Sequence, residues 1–225
     1  MLFNLIKNDT GNWMDIIAYI VSALVVVFLV LPVHEAAHAW AASKMGDKTA
    51  KNQGRLTLNP FAHIDYIGAI LLVVVGFGWA KPVSINPRNF KNPKAGMALS
   101  ALAGPASNIL VALILAFPLQ AYIKFAPGSN SIHFLALLAQ FLFLINIRLA
   151  VFNLIPIPPL DGSKILGALL PSKYYFKMMQ YERYISIVLI ALLLLGWLDI
   201  PLNFLSGLLQ NILLFIGSLP FKLLG

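Results

Sequence analysis

The chain contains no cysteine, so disulfides and thiolate metal ligands are excluded, and any metal must be held by His, Asp or Glu. Charge is also scarce. Only 11% of the residues are charged, with eight acids against sixteen Lys and Arg, where a water-soluble globule carries about a quarter. Hydrophobic residues make up 60% of the chain and the mean hydropathy is +0.83. Such a chain cannot cover itself with water-compatible surface. It reads as an all-α polytopic membrane protein with little length left for a soluble domain.

Five stretches are long and apolar enough to cross or nearly cross a bilayer: about 13–33, 97–123, 132–155, 184–200 and 202–219. A sixth, IGAILLVVVGFGW at 67–79, is shorter, giving about five to six membrane segments. The N-terminal residues show no basic n-region followed by a short apolar core and a small-residue cleavage site, so the first span is expected to be a retained anchor.

The net charge of +8 is concentrated in three places. Lys44, Lys48, Lys51 and Arg55 follow the first span; Lys81, Arg88, Lys91 and Lys94 follow the 67–79 stretch; Lys164, Lys173, Lys177 and Arg183 follow the 132–155 span. Basic loops mark the cytoplasmic side, so this distribution reports membrane orientation, and no nucleic-acid partner is expected. If both loops flanking 67–79 are cytoplasmic, that stretch cannot cross once. It must dip in and return, as a strand or re-entrant segment, and its β-branched, Gly-punctuated sequence favours a strand. An unpaired edge there could take an extended substrate by strand addition. Counting onward places the N-terminus outside and the C-terminus inside, unless the last two stretches form a partly inserted hairpin instead of two spans.

One segment carries ionisable groups where hydrocarbon makes them costly. His34, Glu35 and His38 form HEAAH at the end of the first apolar run. On a helix, residues i and i+4 share a face, so both imidazoles can hold one metal ion, with Glu35 beside them to accept a proton from water. In a shuffled chain with these four His and two Glu, HExxH is expected roughly 0.0006 times. A catalytic zinc site usually has three protein ligands, and the best-placed remaining acid is Asp161 in FNLIPIPPLDGSKIL (152–166). Pro156, Pro158 and Pro159 prevent a helix from continuing through this stretch. Asp161 is thus either the third ligand, carried into the bundle on an extended segment, or a solvated acid just past a helix.

HExxH together with Asn153…Pro156-Ile157-Pro158…Leu160-Asp161-Gly162 resembles the site-2 protease family of intramembrane zinc metalloproteases, in the compact form without PDZ or cystathionine-synthase-type domains. RLTLNPFAHID (55–65), GWAKPVSINPRNFKNPK (78–94) and AGPASN (103–108) resemble it as well. The resemblance implies a single membrane-embedded metalloprotease domain over 1–225, with its core at about 13–170 and C-terminal helices at about 184–219. Within that core it implies three helices, here 13–40, 97–123 and 132–155, holding one zinc ion toward the cytoplasmic side of a cell membrane. His34, His38 and Asp161 would be the ligands, Glu35 the general base, and Asn153 and Asn108 substrate-binding positions, with Asn108 equally readable as a helix-packing contact. The implied reaction is peptide-bond hydrolysis in or near transmembrane segments of other proteins. The alternatives are a zinc-binding pseudoprotease that holds client helices without cutting them, and a small transporter. His63, Asp65 and His133 are expected to have no metal role, while Arg148, a cation inside a span, has no assigned one.

Overall fold

A computed structural model of the chain describes residues 13–75, 78–126 and 130–222. In hydrocarbon a backbone satisfies its own polar groups only as a helix or a closed barrel, and the regular elements among the described residues are all helical. In chain order they are α1 (Trp13–Lys44), α2 (Thr49–Asn52), α3 (Tyr66–Val75), α4 (Pro93–Phe125), α5 (Asn130–Asn153), α6 (Asp161–Leu169), α7 (Ser172–Gln180), α8 (Glu182–Leu194) and α9 (Asp199–Lys222). Four of them, α1, α4, α5 and α9, are long and apolar enough to cross a membrane. The chain is a multi-pass membrane protein.

α4 is the hub, packing against α1, α5, α6 and α9. Its buried residues include Gly96, Ser100, Ala101, Gly104, Ala112 and Ala116. Small side chains let backbones approach closely where lipid offers no hydrophobic drive between helices. Ala112, Ala116 and Leu119 meet Phe143, Ile147 and Val151 of α5 and Leu213 of α9 in one apolar cluster. A second cluster joins Ala23, Val26, Val27, Val30 and Leu31 of α1 to Leu72 of α3. Pro32 does not break α1. The preceding turn, Val26–Val30, is π-helical, and the Leu31 N–H bonds to the Val26 carbonyl. Pro32 has no N–H to give to that turn, and a π turn is one of the local adjustments by which a membrane helix runs through a proline.

The 67–79 stretch is not a strand where it is described. Residues 66–75 are helical, because a lone strand in hydrocarbon would leave its N–H and C=O groups unpaired while a helix pairs them internally. At ten residues, α3 is about 15 Å long, half of a bilayer core. It is nonetheless re-entrant in path. The Lys81 N–H donates to the His63 carbonyl at 2.8 Å, closing the base of the excursion. The returning chain presses on α3, where a Cβ on Gly68 would lie 2.2 Å from the Trp79 carbonyl oxygen. Residues 78–86 form no regular structure, so the expected strand edge is not found among the described residues.

Two polar staples hold this region against the end of α1. Arg55 donates to the carbonyls of Ala62, Lys81 and Pro82. Buried Asp47 accepts from the Thr49 hydroxyl, Asn89 Nδ2 and the backbone N–H groups of Thr49 and Asn86. Burial raises the Asp47 pKa, but these hydrogen bonds outweigh it and hold the carboxyl below its ordinary value. His63 and Asp65 also make local bonds here, to the Thr57 carbonyl and the Gly68 N–H.

The C-terminal third departs from the expected path. The 184–200 stretch does not form a spanning helix: α8 has 13 residues, about 20 Å, and ends in a turn at Leu195–Trp197. The direction of α9 is set by its contacts. Arg148 near the end of α5 bonds Asn203 near the start of α9. At the other end, Lys124 Nζ donates to the Phe221 carbonyl and Phe125 stacks edge-on against Phe221. α9 therefore runs parallel to α4, away from the His34–Asp161 end, and the C-terminus lies at the opposite end from that expected. With α8 too short to cross, the last span starts from the site's end and leaves it.

Candidate metal centre

The α1 helix places His34 and His38 one turn apart on the face toward α4. After α5 stops at Asn153, the proline-rich turn returns the chain so that Asp161 opens α6. A Cβ on Gly162 would lie 2.3 Å from the Leu154 carbonyl oxygen, so only glycine allows this turn to fold back so tightly. The outcome is a convergence of three side chains, all less than a tenth exposed. His34 Nε2 and His38 Nε2 are 3.0 Å apart, and Asp161 Oδ2 lies 3.4 Å from the first and 3.1 Å from the second.

The outer shell decides what this convergence means. His34 Nδ1 lies 2.6 Å from Asn108 Oδ1, and His38 Nδ1 lies 2.7 Å from the Ser100 carbonyl oxygen. The orientation of Asn108 is itself fixed: its Nδ2 donates to Asn146 Oδ1, and Asn146 Nδ2 donates to the Leu142 carbonyl. Asn108 Oδ1 and the Ser100 carbonyl can only accept, so each Nδ1 carries the proton and each Nε2 presents a lone pair. Two lone pairs and a carboxylate oxygen then face one another with no donor among them, which is repulsive unless a cation sits between them. Tetrahedral zinc with bonds of ~2.0–2.2 Å sets its ligand atoms about 3.3 Å apart, matching the three separations. The donor set fits zinc, and three ligands leave a fourth position for water or substrate. The second carboxylate oxygen of Asp161 is held by Lys164 Nζ at 3.1 Å.

Glu35 lies outside this triangle. Its buried carboxylate accepts the Val83 N–H at 2.9 Å, so the irregular segment after α3 orients it.

Known proteins resemble this chain over most of its length. Residues 119–196, which include Asp161, match the description Peptidase family M50. The Bacillus subtilis protein named "Putative zinc metalloprotease YwhC" is 43% identical over 187 residues, 80% of this chain and 81% of its own length. This chain belongs to peptidase family M50. "Zinc metalloprotease MJ0392" of Methanocaldococcus jannaschii is 30% identical over 172 residues, 75% of this chain but 41% of its own length. "Putative zinc metalloprotease Rip2" of Mycolicibacterium smegmatis is 32% identical over 151 residues, 63% of this chain and 53% of its own. No solved structure matches.

In this M50 peptidase the sequence-derived residues divide into two groups. His34, His38 and Asp161 come together. Asn108 lies beside them, 1% exposed, with its oxygen 2.6 Å from His34 Nδ1 and its amide donating to Asn146. Asn153 makes no hydrogen bond to the three convergent residues, and its amide donates to the Leu149 carbonyl one turn back. His133 lies at the far end of the bundle beside Tyr122.

Two contributors had no signal of their own, the Ser100 carbonyl and Asn146, while Gly104 had one only as part of AGPASN. Asn146 is a fully buried amide in an apolar helix, and only its partner across the bundle gives it meaning. Replacing it with Leu is expected to lower zinc affinity ~10–100-fold, as losses of outer-shell partners do, measured by competition with a chelator of known affinity. Unchanged affinity would show that Asn108 holds His34 unaided.

Proposed function

We propose that this M50 peptidase is an intramembrane zinc endopeptidase, built as one domain over 1–225, that hydrolyses peptide bonds in or near transmembrane segments of other proteins. The observation that carries the reading is the convergence of two imidazole lone pairs and a carboxylate, beside a glutamate, at one end of a membrane-spanning bundle. His34, His38 and Asp161 would hold one zinc ion, the metal in the names of the relatives. When bound, zinc supplies Lewis acidity that polarises a peptide carbonyl and lowers the pKa of water toward ~7. The Val83 N–H fixes the orientation of Glu35, which accepts the proton of the attacking water and passes it to the departing amine. Asn108 and the Ser100 carbonyl keep both histidines in the tautomer that presents Nε2. Asn153, at the end of α5, contacts the substrate backbone.

Three basic stretches meet at this end. Val83 reaches Glu35, Arg55 reaches Lys81, and Lys94 reaches the Leu170 carbonyl. Lys and Arg collect on the cytoplasmic side, so the site opens toward the cytoplasm and the C-terminus toward the opposite face.

The test uses the purified protein in lipid vesicles with a panel of transmembrane peptides. Cleavage within or beside the apolar stretch, abolished by a chelator and restored by zinc, is the expected result. Full zinc occupancy without cleavage across the panel would favour a client-binding protein in place of a protease.

A further inference from the structure

On the side of α5 away from Asn146, a groove of about 230 Å³ separates α5 from α9. Its apolar lining includes Phe141 and Leu144; its polar lining is Arg148, Asn203, Ser206 and Gln210. The three α9 residues stand at i, i+3 and i+7, one face of the helix. That face looks into a membrane-embedded groove, where polar groups are costly unless they have partners.

Their partners in the protein are too few. Arg148 donates to Asn203 Oδ1 at 2.6 Å, which uses one of five guanidinium N–H donors and neutralises no charge. The ion pairs among the described residues all involve Asp161, so Arg148 has no carboxylate, not even Asp199 one turn before Asn203. Ser206 is 8% exposed, and its hydroxyl has no hydrogen-bond partner, although a helical serine normally reaches the carbonyl one turn back. A cation short of an anion and a hydroxyl short of an acceptor therefore line the same groove.

Depth identifies what supplies both. Arg148 lies five residues before the end of α5, about 7 Å from the membrane end that carries the metal centre, and an Arg side chain extends from such a position to headgroup level. Ser206 lies about 4.5 Å further along α9 than Asn203, toward the bilayer middle. Beyond it the groove is lined by Phe141 and Leu144 on α5 and by Gln210, about 6 Å further along α9. A phosphate, then ester oxygens, then hydrocarbon is the order of groups in a phospholipid read from the surface inward. Basic pockets between transmembrane helices hold anionic headgroups by this chemistry.

We infer that the α5–α9 groove is a binding site for one anionic phospholipid. Its phosphate sits on Arg148 and Asn203, glycerol ester oxygens accept from Gln210 and, once its buried hydroxyl turns into the groove, from Ser206, and an acyl chain lies along Phe141 and Leu144. The site is separate from the metal centre and does not depend on the proposed reaction.

Native mass spectrometry of the zinc-loaded protein, titrated with phosphatidylglycerol or with phosphatidylcholine of the same chains, tests this. One phosphatidylglycerol is expected to be retained at least tenfold more tightly than phosphatidylcholine. Arg148→Gln should remove that preference, Arg148→Lys should keep part of it, and Asn203→Leu should weaken retention without removing the charge. An unchanged melting temperature in each variant shows that the helices still pack. Equal retention of the two lipids by the wild type would overturn the assignment, as would an unchanged preference in a folded Arg148→Gln. Displacement by a transmembrane peptide bearing an acidic residue, with no lipid preference, would overturn it in favour of a substrate contact.

Discussion

Glu35→Gln is expected to stop peptide hydrolysis while leaving the zinc content unchanged. The substitution keeps the shape of the side chain and an oxygen that can still accept the Val83 N–H, so the 78–86 segment stays in place. None of the three atoms that face one another, His34 Nε2, His38 Nε2 and Asp161 Oδ2, belongs to Glu35, so metal affinity should not change. What disappears is basicity, since an amide cannot take the proton that water must lose as it attacks. General-base catalysis contributes about 10²–10⁴-fold, and a rate loss of that size should appear with one zinc per chain in both proteins. Metal analysis and cleavage of a transmembrane peptide measured on the same samples check it. Cleavage within threefold of wild type would assign the proton transfer to another group.

Gly104→Ala is expected to displace both histidine rings and so to impair zinc binding. A Cβ at this position would lie 2.3 Å from His38 Nε2 and 2.6 Å from His34 Nε2, inside contact distance of both ligand atoms. Neither ring can move away without giving up its bond to Asn108 or to the Ser100 carbonyl. Zinc affinity should fall at least about 10²-fold, the top of the range for outer-shell losses, because here both ligand atoms are displaced directly. Alanine is more favourable than glycine in a helix interior by roughly 0.5–1 kcal/mol, but overpacking against two buried, hydrogen-bonded rings costs about 1–3 kcal/mol. The expected signature is a metal-depleted protein whose apo form still unfolds cooperatively but melts below the wild-type apo form. Normal zinc binding would show that α4 does not sit this close to α1.

These two substitutions differ in how visible their reasons are in the chain. Glu35 is identified by short-range periodicity, because the helical repeat alone puts His34 and His38 on one face and Glu35 beside them. Asp161 is less visible: three prolines force a break just past an apolar helix, but that alone leaves the acid either a third ligand or a solvated group, and only the fold brings it beside His34 and His38. The membrane class and the shared side of the three basic loops follow from composition and charge order, since transfer into hydrocarbon penalises charge wherever it lies in the fold.

Packing settled the remainder. Gly104 and Asn146 acquire roles only when α4 lies against α1 and α5, and no local rule separates a ligand-facing glycine from any other small residue in a membrane helix. The Val-rich 67–75 stretch suits a strand by propensity, yet without a partner strand its backbone pairs within a helix. The expected inward direction of α9 rested on counting 184–200 as a span, whereas the helix there has only 13 residues. Contacts at its two ends, Arg148–Asn203 and Lys124–Phe221, decide it. Sequence by itself determined the membrane class and put His34, Glu35 and His38 forward as candidates, because these depend on residue type and on spacing along one helix. Tertiary structure decided which groups orient them and where the chain ends, because those depend on surfaces meeting from distant parts of the chain.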